Sequence, residues 1–319
     1  MNNAIKCFIF NKKLHYADQE IAVVNNINDM KIPSIQFKPV THKDVGVEVL
    51  ELQELYNRSA TQQKYSALPH RCNFNCFLYI TDGVGSHFID FNHYPVQSSS
   101  VIFINKNQIQ AFDHVNKPQG KLIIFTDGFL DALLSNMRLS IFSPSHLSNN
   151  YSPTFKLTPL LNESCEVFLS EIEKEQDNLE PSSHLLQLML ATLLTKLIDA
   201  RPKENTQYIS ESRSKIFLLF IKNIELNFKK TREATQYAKV LNITYKALNQ
   251  ICKLASNQTA KQLIDAHTIL EAKRQLAVDN IQIQQLAYAF GFDEVTNFVK
   301  YFKKHTLLTP TQFKKFIKG

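Results

Sequence analysis

The stretch Ile283–Lys315, IQQLAYAFGFDEVTNFVKYFKKHTLLTPTQFKK, decides how this chain is read. Ile283, Leu286, Ala287 and Phe290 recur at helical spacing as one apolar stripe, Gly291 breaks it, and Phe298 and Phe302 begin a second stripe. Asp293 stands where a cap for the second helix belongs. The residue that ends the first helix of such a pair has to enter the left-handed region, where Gly or Asn is cheap, and Gly291 meets that demand. Ala287, one turn before the break, is small enough for two helix backbones to cross closely. The stretch therefore predicts two short helices meeting at a tight turn.

The same grammar occurs upstream, where Asn242 stands forty-nine positions before Gly291. Ala234, Tyr237, Ala238 and Leu241 precede the break, Thr244 caps the second helix of the pair, and Leu248, Ile251 and Cys252 make its buried stripe. Between the two units Thr259 to Leu276 reads as one longer helix, with Leu263, Ile264, Ile269, Leu270, Ala272 and Leu276 inside and Lys261, Lys273 and Arg274 outside. At about 1.5 Å per residue this rod is roughly 27 Å long. Allowing for the widths of the motifs it joins, it can hold two helices near the roughly 34 Å spacing of successive major grooves on one DNA face. An ordinary helical bundle shows apolar stripes too, but here spacing, break and cap recur together in two copies. From Glu211 onward there are 18 Lys plus Arg against 8 Asp plus Glu, whereas the preceding residues carry 18 against 21. Basic character is concentrated where a nucleic acid would lie.

These residues resemble the AraC-type (AraC/XylS) transcription regulators over about Ser214 to Gly319. The likeness rests on "ILEAKRQL" and on the quoted stretch, with Gly291-Phe292, Phe298, Phe302-Lys303-Lys304 and Thr309-Pro310 in the pattern of the family's second motif. Three departures stand out: Asn257 and Leu307 replace glycines that are usual in the family, and the Arg usual near His267 is missing. Subtracting the buried stripes leaves Tyr245, Lys246, Asn249, Gln250 and Lys253 in the first motif, and Val295, Thr296, Asn297, Val299 and Lys300, with Lys304 further on, in the second. The resemblance implies DNA contacts at the second set. Asn249 and Gln250 suit adenine, Lys246 suits guanine or a phosphate, and Val295 and Val299 suit the thymine methyl.

The first 155 residues read as mostly strand. Phe74 to Thr81, Ser86 to Phe91, Ser100 to Asn105 and Lys121 to Thr126 are short and rich in Phe, Ile, Tyr and Val, with turns at Asp82-Gly83, Asn92-His93 and Lys117-Pro118. The spacing predicts a small antiparallel barrel or sandwich, and "PHRCNFNCFLYITDGVGSHFIDFNHYPV" is similar, more loosely, to the cupin-like domain that many AraC-type proteins carry. Residues suited to line an effector pocket are His70, Arg71, Phe77, Tyr79, His87, Phe103, Gln110 and Phe112, with Arg71 the natural anchor for a carboxylate. Phe and Tyr at alternate strand positions are more often plain core, and that reading is favoured for any single one of them.

A metal-dependent cupin enzyme is the alternative. It would need several histidines and a carboxylate, and this stretch offers His70 and His87 without an HxH arrangement. Cys72 and Cys76 lack a second pair, and five scattered cysteines suit small buried hydrophobes in a reducing compartment better than a disulfide framework. No metal, no cofactor and no enzymatic activity are expected. An RNA-binding role is disfavoured because the Phe residues of the basic end fall at buried spacings.

Pro159 to Asn178 and Pro181 to Ala200 read as helices, and the second carries Leu185, Leu186, Leu188, Met189, Leu193, Leu194, Leu197 and Ile198. That stripe is wide enough to serve both the sheet and a second copy of the chain, so a homodimer is expected alongside purely internal packing. The helix is too interrupted to span a membrane, and Met1 to Phe10, with Lys6 inside it, does not read as an export signal. A cytoplasmic address is expected. The expected organisation is α+β: residues 1–200 an N-terminal antiparallel, cupin-like β barrel with packing helices at about 159–200, serving effector binding and dimerisation; 201–212 a linker; 213–319 an all-α domain with two helix-turn-helix motifs. The expected partners are double-stranded DNA, a small-molecule effector, a second copy and, for an activator, RNA polymerase. Activation and repression are not distinguished.

Overall fold

The computed structural model describes residues 34–35, 46–57, 66–130, 152–201, 210–278 and 281–318. The expected linker falls largely outside them. In chain order the elements are β1 (Ser34–Ile35), β2 (Val47–Glu51), α1 (Leu52–Asn57), β3 (His70–Cys72), β4 (Asn75–Asp82), β5 (Val84–Ile89), β6 (Asn92–Gln97), β7 (Ser100–Ile104), β8 (Ile109–Ala111), β9 (Gln119–Phe125), β10 (Thr154–Lys156), α2 (Pro159–Asp177) and α3 (Ser183–Asp199). The helical half comprises α4 (Glu211–Asn227), α5 (Ala234–Val240), α6 (Tyr245–Ser256), α7 (Ala260–Val278), α8 (Ile283–Ala289), α9 (Val295–Thr306) and α10 (Pro310–Lys318). The class is α+β, as expected.

The strands form two five-stranded sheets, β1-β3-β8-β5-β6 and β10-β7-β4-β9-β2, antiparallel except for β1 beside β3. The alternation of β4 explains the layering, because successive side chains point to opposite faces. Cys76, Leu78 and Ile80 join Ile102, Ile104, Leu122 and Ile124 in a core shared with Cys72, Ile89 and Val96 of the other sheet. Phe77 and Tyr79 face the other way, into a core with Val101, Phe103, Ile123, Phe125 and the helices α2 and α3. Those helices start where Thr158 and Ser182 cap them through Leu161 N and Leu185 N. The buried Tyr79 hydroxyl is satisfied by donating to Asn162 Oδ1 (2.9 Å) and Glu166 Oε1 (3.0 Å), which pins α2 to the sheet.

The hairpin between β5 and β6 departs from expectation. Its turn is centred on Asp90 and Phe91, at φ +44° and +71°, and Asn92 and His93 belong to β6. Two consecutive positive φ values make this a two-residue turn of the kind that favours Asn-Gly. A phenylalanine there carries strain, and its tertiary contacts account for it. Phe91 packs edge-on against Phe313 of α10 with ring centroids 5.6 Å apart, and Asp90 accepts from Arg274 Nε (2.9 Å) and Nη2 (2.6 Å) on α7. Arg274, expected on an outer face, is only 2% exposed. Its partner Asp90 lies 184 positions away in sequence, beyond the reach of helical periodicity, and Glu271 completes the site by pairing with both Arg274 and Arg71 (3.1 Å to Arg71). Gln108 Nε2 (2.7 Å) and Ile109 N (3.1 Å) also donate to Asp90, so both oxygens of this buried carboxylate are satisfied.

Candidate nucleic-acid interface

The two expected turns form, and by the same device. Asn242 (φ +53°) and Gly291 (φ +70°) are left-handed. In the first turn Asn242 N donates to Lys239 O and Ile243 N to Ala238 O, both at 3.0 Å. In the second, Gly291 N donates to Tyr288 O (3.0 Å) and Phe292 N to Ala287 O (3.1 Å). This paired pattern satisfies the last carbonyls of α5 and α8 and turns the chain sharply into α6 and α9. Ala238 and Ala287 are buried at the crossings. Gly291 has a second reason to be glycine: a Cβ there would stand 2.3 Å from the Lys229 carbonyl oxygen. One cap differs from expectation, since α9 is preceded by Glu294 rather than Asp293, and Thr296 Oγ1 donates to the Glu294 carboxylate (3.0 Å).

Thr244 caps α6 through Ala247 N, and Leu248, Ile251, Cys252 and Ser256 face inward. Tyr245, Lys246, Gln250 and Lys253 are exposed on the other side. Asn249 lies between the faces, and its side-chain oxygen accepts from Ala260 N (2.9 Å), tying α6 to the start of α7. On α9, Phe298 and Phe302 are buried, Thr296, Asn297, Lys300 and Lys304 are exposed, and Val295 and Val299 are half-buried. Tyr301 donates to Asp265 Oδ1 of α7 (2.8 Å), and Asp265 also pairs with Lys261 (2.9 Å), which fixes the roll of α9. Each helix so presents one polar face with the opposite face locked in a common core. The helix C-caps Asn257 (φ +57°) and Leu307 (φ +64°) are both left-handed, so the turn before Pro310 forms with leucine in a glycine-like role.

Residues 237–315 match the sequence profile of a helix-turn-helix domain. The chain is 21% identical over 252 residues to the HTH-type transcriptional activator RhaR of Mannheimia succiniciproducens, covering 78% of this chain and 88% of the relative. It is 17% identical over 282 residues to the HTH-type transcriptional activator RhaS of an Enterobacter species, covering 88% and 95%. Residues 237–315 thus form a helix-turn-helix domain of the AraC type, and the chain is similar to AraC-type transcription regulators. Among solved structures, ToxT from Vibrio cholerae aligns over 78% of this chain and 92% of its own at TM-score 0.41 and 18% identity. The curated relatives are DNA-binding transcription regulators by name, and the two motifs described above lie within the matched helix-turn-helix domain.

The residues expected around an effector separate into three groups. His70, His87, Gln110 and Phe112 come together between the sheets: His87 Nε2 and Gln110 Oε1 are 3.0 Å apart, Gln110 Nε2 donates to Cys72 Sγ (3.1 Å), and Phe112 touches both imidazoles. Burial depresses both histidines to about 4, so both are neutral at pH 7. Phe77, Tyr79 and Phe103 lie on the opposite face of the second sheet, under α2 and α3. Arg71 points away from both, to Glu271 of α7. The split arises from strand alternation, which residue type alone does not reveal. Among the described residues no group of three or more His, Cys, Asp or Glu is placed to hold a metal, and no helix is long and apolar enough to cross a membrane.

Sequence reasoning overlooked Arg232. Its Nη1 donates to Phe290 O (2.6 Å), its Nη2 to Gly291 O (3.1 Å), and its guanidinium carbon stands 3.8 Å from the centre of the Phe292 ring. No local signal marks it, because its partners lie 58 and 59 positions away.

Proposed function

We propose that α6 and α9 enter successive major grooves of one operator, with Tyr245, Lys246, Gln250 and Lys253 reading the first box and Thr296, Asn297, Lys300 and Lys304 the second. The observation that supports this is the exposure of these eight side chains on two helices whose opposite faces are held in one core. Lysines fix the register on phosphates while the amides and hydroxyls read base edges. Val295 and Val299 offer methyl contacts to thymine, and Asn249, engaged with Ala260 N, passes the adenine contact to Gln250.

Residues 1–200 are the regulatory domain, built as a cupin-like barrel, 201–212 the linker and 213–319 the DNA-binding domain. The effector sits between the sheets against His70, His87, Gln110 and Phe112. With both histidines neutral and Arg71 held by Glu271, that cluster suits an uncharged molecule rather than a carboxylate. A homodimer forms through the apolar residues that α2 and α3 leave exposed, Val167, Leu185 and Leu188. Action as an activator accords with the names of the curated relatives; operator DNA and RNA polymerase as partners, and a cytoplasmic address, complete the proposal.

The test is selection of random duplexes by the full chain, then footprinting. The expected outcome is two protected boxes about one helical turn, roughly 10 base pairs, apart. A chain that enriches no sequence over bulk duplex at low ionic strength overturns the reading.

A further inference from the structure

The turn Phe228–Arg232 leads from α4 into the first reading head, yet it grips the second. Phe228 packs against Phe290 with centroids 5.4 Å apart, the Lys229 carbonyl occupies the space a side chain on Gly291 would need, and Arg232 holds the carbonyls of Phe290 and Gly291 while stacking on Phe292. The same turn touches the rest of the assembly: Tyr237 of α5 donates to Thr231 O (3.0 Å), and Lys261 of α7 donates to Arg232 O (3.1 Å).

From this we infer that Arg232 is a positioning residue that sets the angle between the two reading heads. A connecting helix fixes how far apart the heads stand, but a contact away from its axis is needed to stop the second head from turning about it. Arg232 supplies that contact from the first head's side. The carbonyls it holds close the C-terminal end of α8, where orphan acceptors and the negative end of the helix dipole both favour a cation. Arginine suits the place because one planar group makes two charge-assisted bonds and a stack at once; lysine keeps the charge and loses the fork and the stack. Gly291 takes part in this device, since its bare Cα lets the Lys229 backbone approach.

The inference rests on the two-box reading of the operator. Its test uses the full chain, a two-box duplex recovered by selection, and the same duplex with one base pair inserted between the boxes, which turns the second box by roughly 35°. The wild-type chain is expected to lose about tenfold or more in affinity on the insertion. Arg232→Lys is expected to bind the original duplex more weakly while losing less than about threefold on the insertion, because its second head can follow the displaced box. A purely structural role would lower affinity for both duplexes alike and leave the insertion penalty intact. Phe292→Leu, which removes the platform and keeps most of the apolar volume, is expected to shrink the penalty in the same way. An Arg232→Lys or Phe292→Leu chain with the full wild-type penalty overturns the inference alone, whereas selection of single-box sites overturns it together with the reading on which it stands.

Discussion

Leu307 ends α9 at φ +64° with 61% of its surface exposed, so it bears the cost of the left-handed region and gains little burial in return. Leu307→Gly is therefore expected to raise stability by up to about 1 kcal/mol, read as a higher urea midpoint at unchanged m-value; a lower midpoint would mean that the leucine packs productively. Lys300 is exposed on the polar face of α9. Lys300→Ala should weaken binding to every duplex and flatten the slope of log K against log salt by about 1, and a loss confined to one base position would instead make Lys300 a base reader. At this scale much was legible. Gly291 and Asn242 announced their own conformations, because left-handed turns tolerate few residue types. Arg232, Arg274 and the inward turn of Asn249 were not legible, since each is defined by a partner remote in sequence or by a backbone group with no side-chain signature.

Elements with a strong period were read within a few residues: β4, β7, β9, α2, α3 and α7 all stand close to their expected bounds. Strand β6 was hidden because its first two residues, Asn92 and His93, read as a turn. Pro95 is tolerated within it because β6 is the edge strand of its sheet. Burial also has a pH consequence that crosses elements. His70 on β3, His87 on β5 and His267 on α7 are each pushed down by burial from 6.5 to about 4. Their folded values lie below the unfolded ones, so the unfolded chain takes up protons first: the stabilisation is complete above pH 6.5 and is lost progressively as pH falls toward 4. Melting temperature should fall from about pH 7 to about pH 5, and His87→Gln should make that fall shallower. A melting temperature flat across this range would show that these imidazoles are solvated.

For the molecule as a whole, the ion pairs of Asp90, Arg274, Glu271 and Arg71 join the β half to the helical half. Asp90→Ala leaves Arg274 buried with one carboxylate fewer and frees the donors of Gln108 and Ile109, for an expected loss of about 3 kcal/mol. Adding Arg274→Met should recover part of it, because a buried apolar side chain no longer needs the missing charge; denaturant titration of the two single variants and the double variant measures the coupling. Strict additivity would show that the pair is solvated. Sequence patterning foresaw the two halves but not this junction, since a charge on a helix reads as an outer face until its counterpart is known.

The strained hairpin tip has one more consequence. Phe91 and Asp90 are moulded to Phe313 and Arg274, so the β half and the helical half of this chain are not interchangeable parts. A chimera that imports another regulator's DNA-reading end inherits a buried aspartate with nothing to neutralise it, unless Arg274, Glu271 and Phe313 travel with the graft as a set.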